Sequence, residues 1–348
     1  MNPYVLMILL SSLGLGTTLT FASSHWLLAW MGLEINTLAI IPLMAQHHHP
    51  RAVEATTKYF LTQATAAAMI LFAGSTNAWI TGTWDMTNMM NPLASSLVIT
   101  ALALKIGLAP MHLWMPEVLQ GLDLTTGLIL STWQKLAPLA LIIQTAQNID
   151  PMLLTVLGLL STLIGGWGGL NQTQLRKILA YSSIAHMGWM IIVSQYAPQL
   201  TLLALLTYIF MTSAAFLTLK LYSATKINAL ALTWSKSPTL SATTALVLLS
   251  LAGLPPLTGF MPKWLILQEL TKQNFPITAT IMALAALLGL YFYLRLCYAM
   301  TLTISPNIIN SMMPWRISTT QTSLLLALLT TAALGLLPLA PAILTLTT

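Results

Sequence analysis

Four charged residues lie where a charge is expensive to keep. Glu34 sits in WMGLEINTLAI, Lys105 in TALALKIGLAP, Lys135 in LSTWQKLAPLA and Lys263 in GFMPKWLIL, each inside a long apolar run. A charge near the centre of a membrane helix costs about 2.5–3.5 kcal/mol on insertion scales, so four unpaired ones cost on the order of 10 kcal/mol. Partners or internal water must offset that, and such residues are functional candidates by default. Structural ion pairing, or snorkelling of a lysine toward the interface, is the competing explanation for each of them. The chemistry the residue types offer is proton transfer. A buried amine sheds its proton more readily than an exposed one, and an approaching carboxylate reverses that. Approach and withdrawal of Glu34 would tune Lys105 in this way.

The elements that carry these residues are helices in lipid. Of 348 residues 57% are hydrophobic and 6% charged, against roughly 25% charged in soluble domains. Only helices and closed barrels satisfy their backbone in lipid. A barrel would show alternating segments of about ten residues, whereas LLALLTYIFMTSAAFLTL (202–219) is a long, unalternating run. The expected fold class is an all-α polytopic membrane protein, a single transmembrane domain over 1–348 with about eleven spans: 2–21, 25–45, 58–80, 94–119, 125–145, 151–170, 176–195, 199–221, 238–270, 277–300 and 322–345. Residues 2–20 hold no Lys or Arg and are expected to form a first span rather than a signal or transit peptide.

Two segments align without gaps at a fixed offset. GLAPMHLWMPE (107–117) matches GLPPLTGFMPK (253–263), with Trp114 opposite Phe260. Five spans separate them, so the copies should run through the membrane in opposite senses, an inverted-topology repeat of the kind secondary transporters use. Glycine and proline within each copy should break its helix near 107–110 and 253–257. Non-helical backbone at membrane depth is tolerated only where it is buried or lines a wet cavity. A simple proline kink is the plainer explanation of either one alone.

Other features carry less. One cysteine, Cys297, permits no internal disulfide, and an iron–sulfur cluster ordinarily needs four thiolates. His47, His48 and His49 are consecutive loop residues beside Pro50, which do not make a compact metal site unaided. His112 and His186 are proton relays or packed polar residues. Glu117 and Asp123 are proton collectors or surface charges. GGWGG (165–169) follows no strand, so it reads as helix packing rather than dinucleotide binding. The net charge of +6 contains no basic run longer than two residues, which argues against a nucleic-acid partner. Arg51 and Lys58, Arg176 and Lys177, Lys220, Lys226 and Lys236, and Arg295 and Arg316 fall in alternate connections (46–58, 171–177, 220–237 and 295–320). The positive-inside rule puts those connections on the inner side.

The segments MGLEINTLAIIPL, KIGLAPMHLWMPEVLQGL, STWQKLAP, LRKILAYSSIAHMGWM and LAGLPPLTGFMPKW resemble, in order and over almost the whole chain, the subunit 2 family of mitochondrial NADH:ubiquinone oxidoreductase (complex I), antiporter-like membrane subunits. The resemblance implies paired inverted five-helix units with one discontinuous helix in each. It implies a carboxylate–lysine pair at Glu34 and Lys105, a continuing lysine at Lys135 and an outward-leading lysine at Lys263. It further implies that NADH, flavin, Fe–S clusters and ubiquinone are handled by other subunits, with no cofactor or metal bound by this chain. The implied partners are the neighbouring antiporter-like subunit 4, the small subunit 4L, accessory subunits and membrane lipids. The implied location is the mitochondrial inner membrane; there the basic side is the matrix, and eleven spans then put the N-terminus in the matrix. This sequence departs from a symmetric repeat: Lys105 aligns with Leu251, and Lys263 with Glu117. A membrane subunit of a cation/proton antiporter shares the plan and is the alternative, and an inactive scaffold is a third. Proteases should reach the 220–237 connection only from the matrix side; cleavage in sealed mitochondria stripped of their outer membrane would reverse the orientation.

Overall fold

Proline starts many of the helices, and glycine stops three of them. The structure, a computed structural model, describes residues 2–46, 49–89, 91–303 and 324–347; His47, His48 and Arg316 lie outside them. Among these residues the architecture is all-helical, with two isolated bridges, His25 to Asp85 and Gln174 to Lys226, as the extended pairings. The order is α1 (Pro3–Ala22), α2 (Trp26–Met44), α3 (Pro50–Thr81), α4 (Pro92–Ile106), α5 (Trp114–Gly121), α6 (Leu124–Thr145), α7 (Pro151–Gly169), α8 (Leu175–Ser194) and α9 (Pro198–Tyr222). It continues with α10 (Ile227–Ala231), α11 (Thr233–Lys236), α12 (Pro238–Ala252), α13 (Phe260–Lys272), α14 (Pro276–Thr301), α15 (Leu324–Gly335) and α16 (Ala340–Thr347). Proline occupies the first helical position of α1, α3, α4, α12 and α14, where its missing N–H is no loss. Asn2, His25, His49 and Asn91 precede α1, α2, α3 and α4 and accept a backbone N–H there.

Among the described residues six helices are long and apolar enough to cross a membrane: α1, α2, α6, α7, α9 and α14. Three apolar helices are shorter, α4, α12 and α15. Several boundaries differ from the sequence expectation. The 46–58 connection is helical from Pro50 onward, so Arg51, Glu54 and Lys58 ride on the first turns of α3. The 220–237 connection contains α10 and α11. The 322–345 segment divides into α15, a 3-10 turn at Leu337–Leu339 and α16, because Pro338 supplies no N–H to continue α15.

The chain divides into two compact units. The first comprises 1–162 and 187–198, the second 163–186 and 199–348. In the first, α1 packs on α2, α2 on α3, α3 on α4 and α5, and α6 on α1, α2 and α4. Small residues let these backbones approach: a Cβ at Gly32 would fall 2.9 Å from Gly16 O, and one at Gly121 2.6 Å from Arg51 O. In the second, α14 packs on α10, α12 and α13, and α12 on α15. Within the GGWGG segment a Cβ at Gly165 would meet Ala185 N at 2.7 Å and one at Gly169 the Phe292 ring at 2.8 Å. Helix packing accounts for these glycines.

α4 and α12 end alike. Each begins at proline, runs 15 residues and stops at a left-handed glycine, Gly107 (φ 84, ψ 43) and Gly253 (φ 87, ψ 45). Gly107 N–H donates to Ala103 O and Leu104 O, and Gly253 N–H to Leu249 O and Ser250 O. A Cβ at either position would be strained, and at Gly253 it would also sit 2.8 Å from Lys263 Nζ. Alanine here should cost about 1–2 kcal/mol, more at 253 than at 107. Thermal unfolding of the purified assembly should report this as a lowered midpoint. Unchanged midpoints for both variants would mean that the glycines do not set the helix ends.

Candidate functional site

The first unit contains a narrow, partly open cleft. Helix periodicity brings its lining together. Asn36 and Thr37 come from α2, Tyr59 and Gln63 from one face of α3, Lys105 from the last turn of α4, Trp114 from α5, and Gln134 and Lys135 from α6. Lys105 is 6% exposed and Lys135 2%. Glu34 is half-buried on α2, and Thr37 Oγ1 lies 2.9 Å from both Glu34 Oε2 and Glu34 O. No hydrogen bond joins Glu34 to Lys105, whose Nζ has no hydrogen-bond partner among the described residues.

The end of α4 exposes carbonyls that must be paired at membrane depth. Trp114 Nε1 donates to Leu104 O at 3.1 Å, and Gln63 Nε2 to Lys105 O at 3.5 Å. His112 Nδ1 lies 3.3 Å from Pro110 O, inside the non-helical stretch. In the second unit the end of α12 is capped differently: Lys263 Nζ on α13 donates to Ala252 O at 2.8 Å. A cation is favoured at a helix C-terminus, where the carbonyls carry partial negative charge.

Of the four charged candidates, the structure gathers Lys105 and Lys135 in one cleft with Glu34 nearby, and places Lys263 in the second unit at the end of α12. Glu117 is exposed and forms an ion pair with Lys58 at 2.8 Å, which also pairs with Glu54 at 2.8 Å. The hydrogen bond from Lys58 holds the Glu54 carboxyl below the usual carboxylate range. His186 packs against Tyr208 with ring centroids 5.5 Å apart. Sequence reasoning missed Asn36, Gln63 and Gln134. Their signal was available, as amides inside otherwise apolar helical runs. Among the described residues no group of three or more His, Cys, Asp or Glu could hold a metal ion.

Two helices that stop at glycine and resume after a non-helical stretch, one of them beside buried lysines, define the class: an antiporter-like helical membrane subunit. Comparisons with known proteins agree. Residues 23–289 match the family described as NADH:quinone oxidoreductase/Mrp antiporter, TM, and residues 290–344 match NADH dehydrogenase subunit 2 C-terminus. The chain is 83% identical to NADH-ubiquinone oxidoreductase chain 2 of Carassius auratus and 78% identical to that of Danio rerio, over 100% of both chains in each case. Its fold matches a chain of respiratory complex I from Thermus thermophilus with a TM-score of 0.87 and 29% identity, covering 99% of this chain and 80% of that one. A chain of the Mrp complex from Dietzia sp. DQ12-45-1b shares the fold at a TM-score of 0.85 and 16% identity, covering 97% of this chain and 76% of that one. The chain belongs to the NADH:quinone oxidoreductase/Mrp antiporter membrane family and, within it, to the NADH-ubiquinone oxidoreductase chain 2 family.

Trp114→Phe should keep the aromatic packing near Gly107 but remove the bond to Leu104 O, a loss of about 1 kcal/mol. Amide hydrogen exchange over 104–108 should quicken in that variant; unchanged exchange would mean that the indole does not secure the helix end.

Proposed function

We propose that this chain is the proton-translocating core membrane subunit of respiratory NADH:ubiquinone oxidoreductase, coupling electron transfer from NADH to ubiquinone to proton pumping, and that Glu34, Lys105, Lys135 and Lys263 carry the protons. The chain performs no redox chemistry itself; NADH, flavin, Fe–S clusters and ubiquinone belong to other subunits. The observation that carries the reading is Lys105: an amine buried at the end of α4, with no hydrogen-bond partner among the described residues, in a cleft it shares with Lys135. Full-length identity to chain 2 relatives favours this role over a separate cation/proton antiporter.

The energetics fit the task. A tenfold change in proton affinity corresponds to about 1.4 kcal/mol. Moving one proton against 100 mV costs about 2.3 kcal/mol. A swing of two powers of ten at one lysine is therefore comparable to the work of a single crossing. Glu34 is suited to produce it, since Thr37 holds its carboxylate while leaving Lys105 free of direct contact. Protonated Lys105 is stabilised by a nearby carboxylate and destabilised when that carboxylate is neutralised. Lys135 shares the cleft and offers the next acceptor. Lys263 serves the second unit, where its amine donates to Ala252 O at the end of α12.

An eleven-span inverted repeat accompanies this role. It is supported by the equal lengths and matching glycine termini of α4 and α12, and by the correspondence of Pro92 with Pro238, Gly107 with Gly253 and Trp114 with Phe260. The location is the mitochondrial inner membrane with a matrix N-terminus, and the neighbours are subunit 4, subunit 4L, accessory subunits and lipid.

Lys105→Met removes the titratable group and keeps apolar bulk. The complex should assemble, and protons pumped per electron should fall at least twofold in reconstituted vesicles. Glu34→Gln should act in the same direction more weakly. Undiminished flux in assembled Lys105→Met enzyme would leave the scaffold reading in the lead.

A further inference from the structure

Two buried side chains that line one cleft of the first unit leave polar atoms without protein partners among the described residues: Asn36 Nδ2 and Oδ1, and Lys105 Nζ. Asn36 is 2% exposed, and it lines the same cleft as Lys105 and Lys135. The neighbouring amides have other work. Gln134 Nε2 donates to Asn36 O at 3.2 Å, and Gln63 Nε2 to Lys105 O. Both orphaned side chains are thus anchored at their backbones while their polar ends stay unengaged. Buried groups in that condition ordinarily take up an ordered water that makes two to four hydrogen bonds.

The amide is placed deliberately by the packing around it. At Gly16 the α1 backbone comes so near that a Cβ would fall 2.5 Å from Asn36 Oδ1. Any larger residue at 16 would displace the side chain. Nor does Asn36 serve Glu34, two residues away on a different side of α2, whose carboxylate is held by Thr37.

We infer that Asn36 is a positioning residue that holds an ordered water against Lys105 Nζ. This rests on the reading of Lys105 as a proton carrier. The chemistry of the amide suits both charge states of that lysine. When the lysine is an ammonium, the water accepts an N–H from Nζ and donates to Asn36 Oδ1. When the lysine is a neutral amine, the water donates to the nitrogen lone pair and accepts from Asn36 Nδ2. The amide offers a donor and an acceptor, so the water keeps a partner on Asn36 in either state, whereas leucine, of similar bulk, offers neither.

A map of the wild-type assembled complex that resolves ordered water should show a density within hydrogen-bond distance of both the Asn36 amide and Lys105 Nζ. Asn36→Leu should still assemble and should lose at least half of its protons per electron. Asn36→Ser, which restores a donor and acceptor and leaves room for water, should recover most of that loss. Absence of the water from the wild-type map overturns the inference. So does an Asn36→Leu enzyme that pumps normally while Lys105→Met does not, and so does equal impairment in the Leu and Ser variants, which would mark a packing role. Should Asn36→Leu fail to assemble, the wild-type map and the Ser variant decide. Undiminished pumping by Lys105→Met removes the proton-carrier reading itself, independently of where the water lies.

Discussion

In lipid no solvent pairs a polar group that the protein leaves unpaired, and each such group costs several kcal/mol. That constraint explains why the described chain is helical almost throughout, since a helix satisfies its own backbone. It also makes the ends of α4 and α12 the places where structure is most expensive to hold. Each end turns on a left-handed glycine whose N–H closes back on the preceding turn. The remaining carbonyls are met by side chains brought from elsewhere: Trp114 and Gln63 at the first end, Lys263 at the second.

The two ends share a backbone and differ in chemistry. Neutral donors satisfy the first, so Lys105, in the last turn of α4, is not needed for capping and is left with an unengaged amine. At the second, the ammonium of Lys263 is itself the cap. Nearly equivalent backbones therefore confer different liabilities on their lysines. One can change charge with no bond to the helix end at stake; the other, on losing its charge, weakens a charge-assisted bond to Ala252 O. This follows from the sequence asymmetry in which Lys105 aligns with Leu251 and Lys263 with Glu117.

Close packing and polarity are linked in the first unit. Gly16 and Gly32 bring α1 and α2 together, and that approach fixes where the Asn36 amide lies. α1, which carries none of the four charged residues, thus shapes their surroundings. Glu117, which aligns with Lys263 in the sequence, is drawn into an exposed pairing with Lys58 on α3.

The sequence alone determined the helical class, because 6% charge and long unalternating apolar runs leave no other solution in lipid. It also marked Glu34, Lys105, Lys135 and Lys263, since a charge inside an apolar run is visible by contrast alone. Proline and glycine positions are equally local signals, and α4 and α12 stop at Gly107 and Gly253. The helical start of α3 at Pro50 was hidden by its charged first turns, which resemble a loop in composition. What only the tertiary structure decided is which polar groups meet. Gln63 lies 42 residues from Lys105, and Gln134 lies 98 from Asn36. Composition and spacing fix what each residue is able to bond, but a hydrogen bond requires atoms within about 3 Å, and that proximity is set by helix packing across distances that no local pattern encodes.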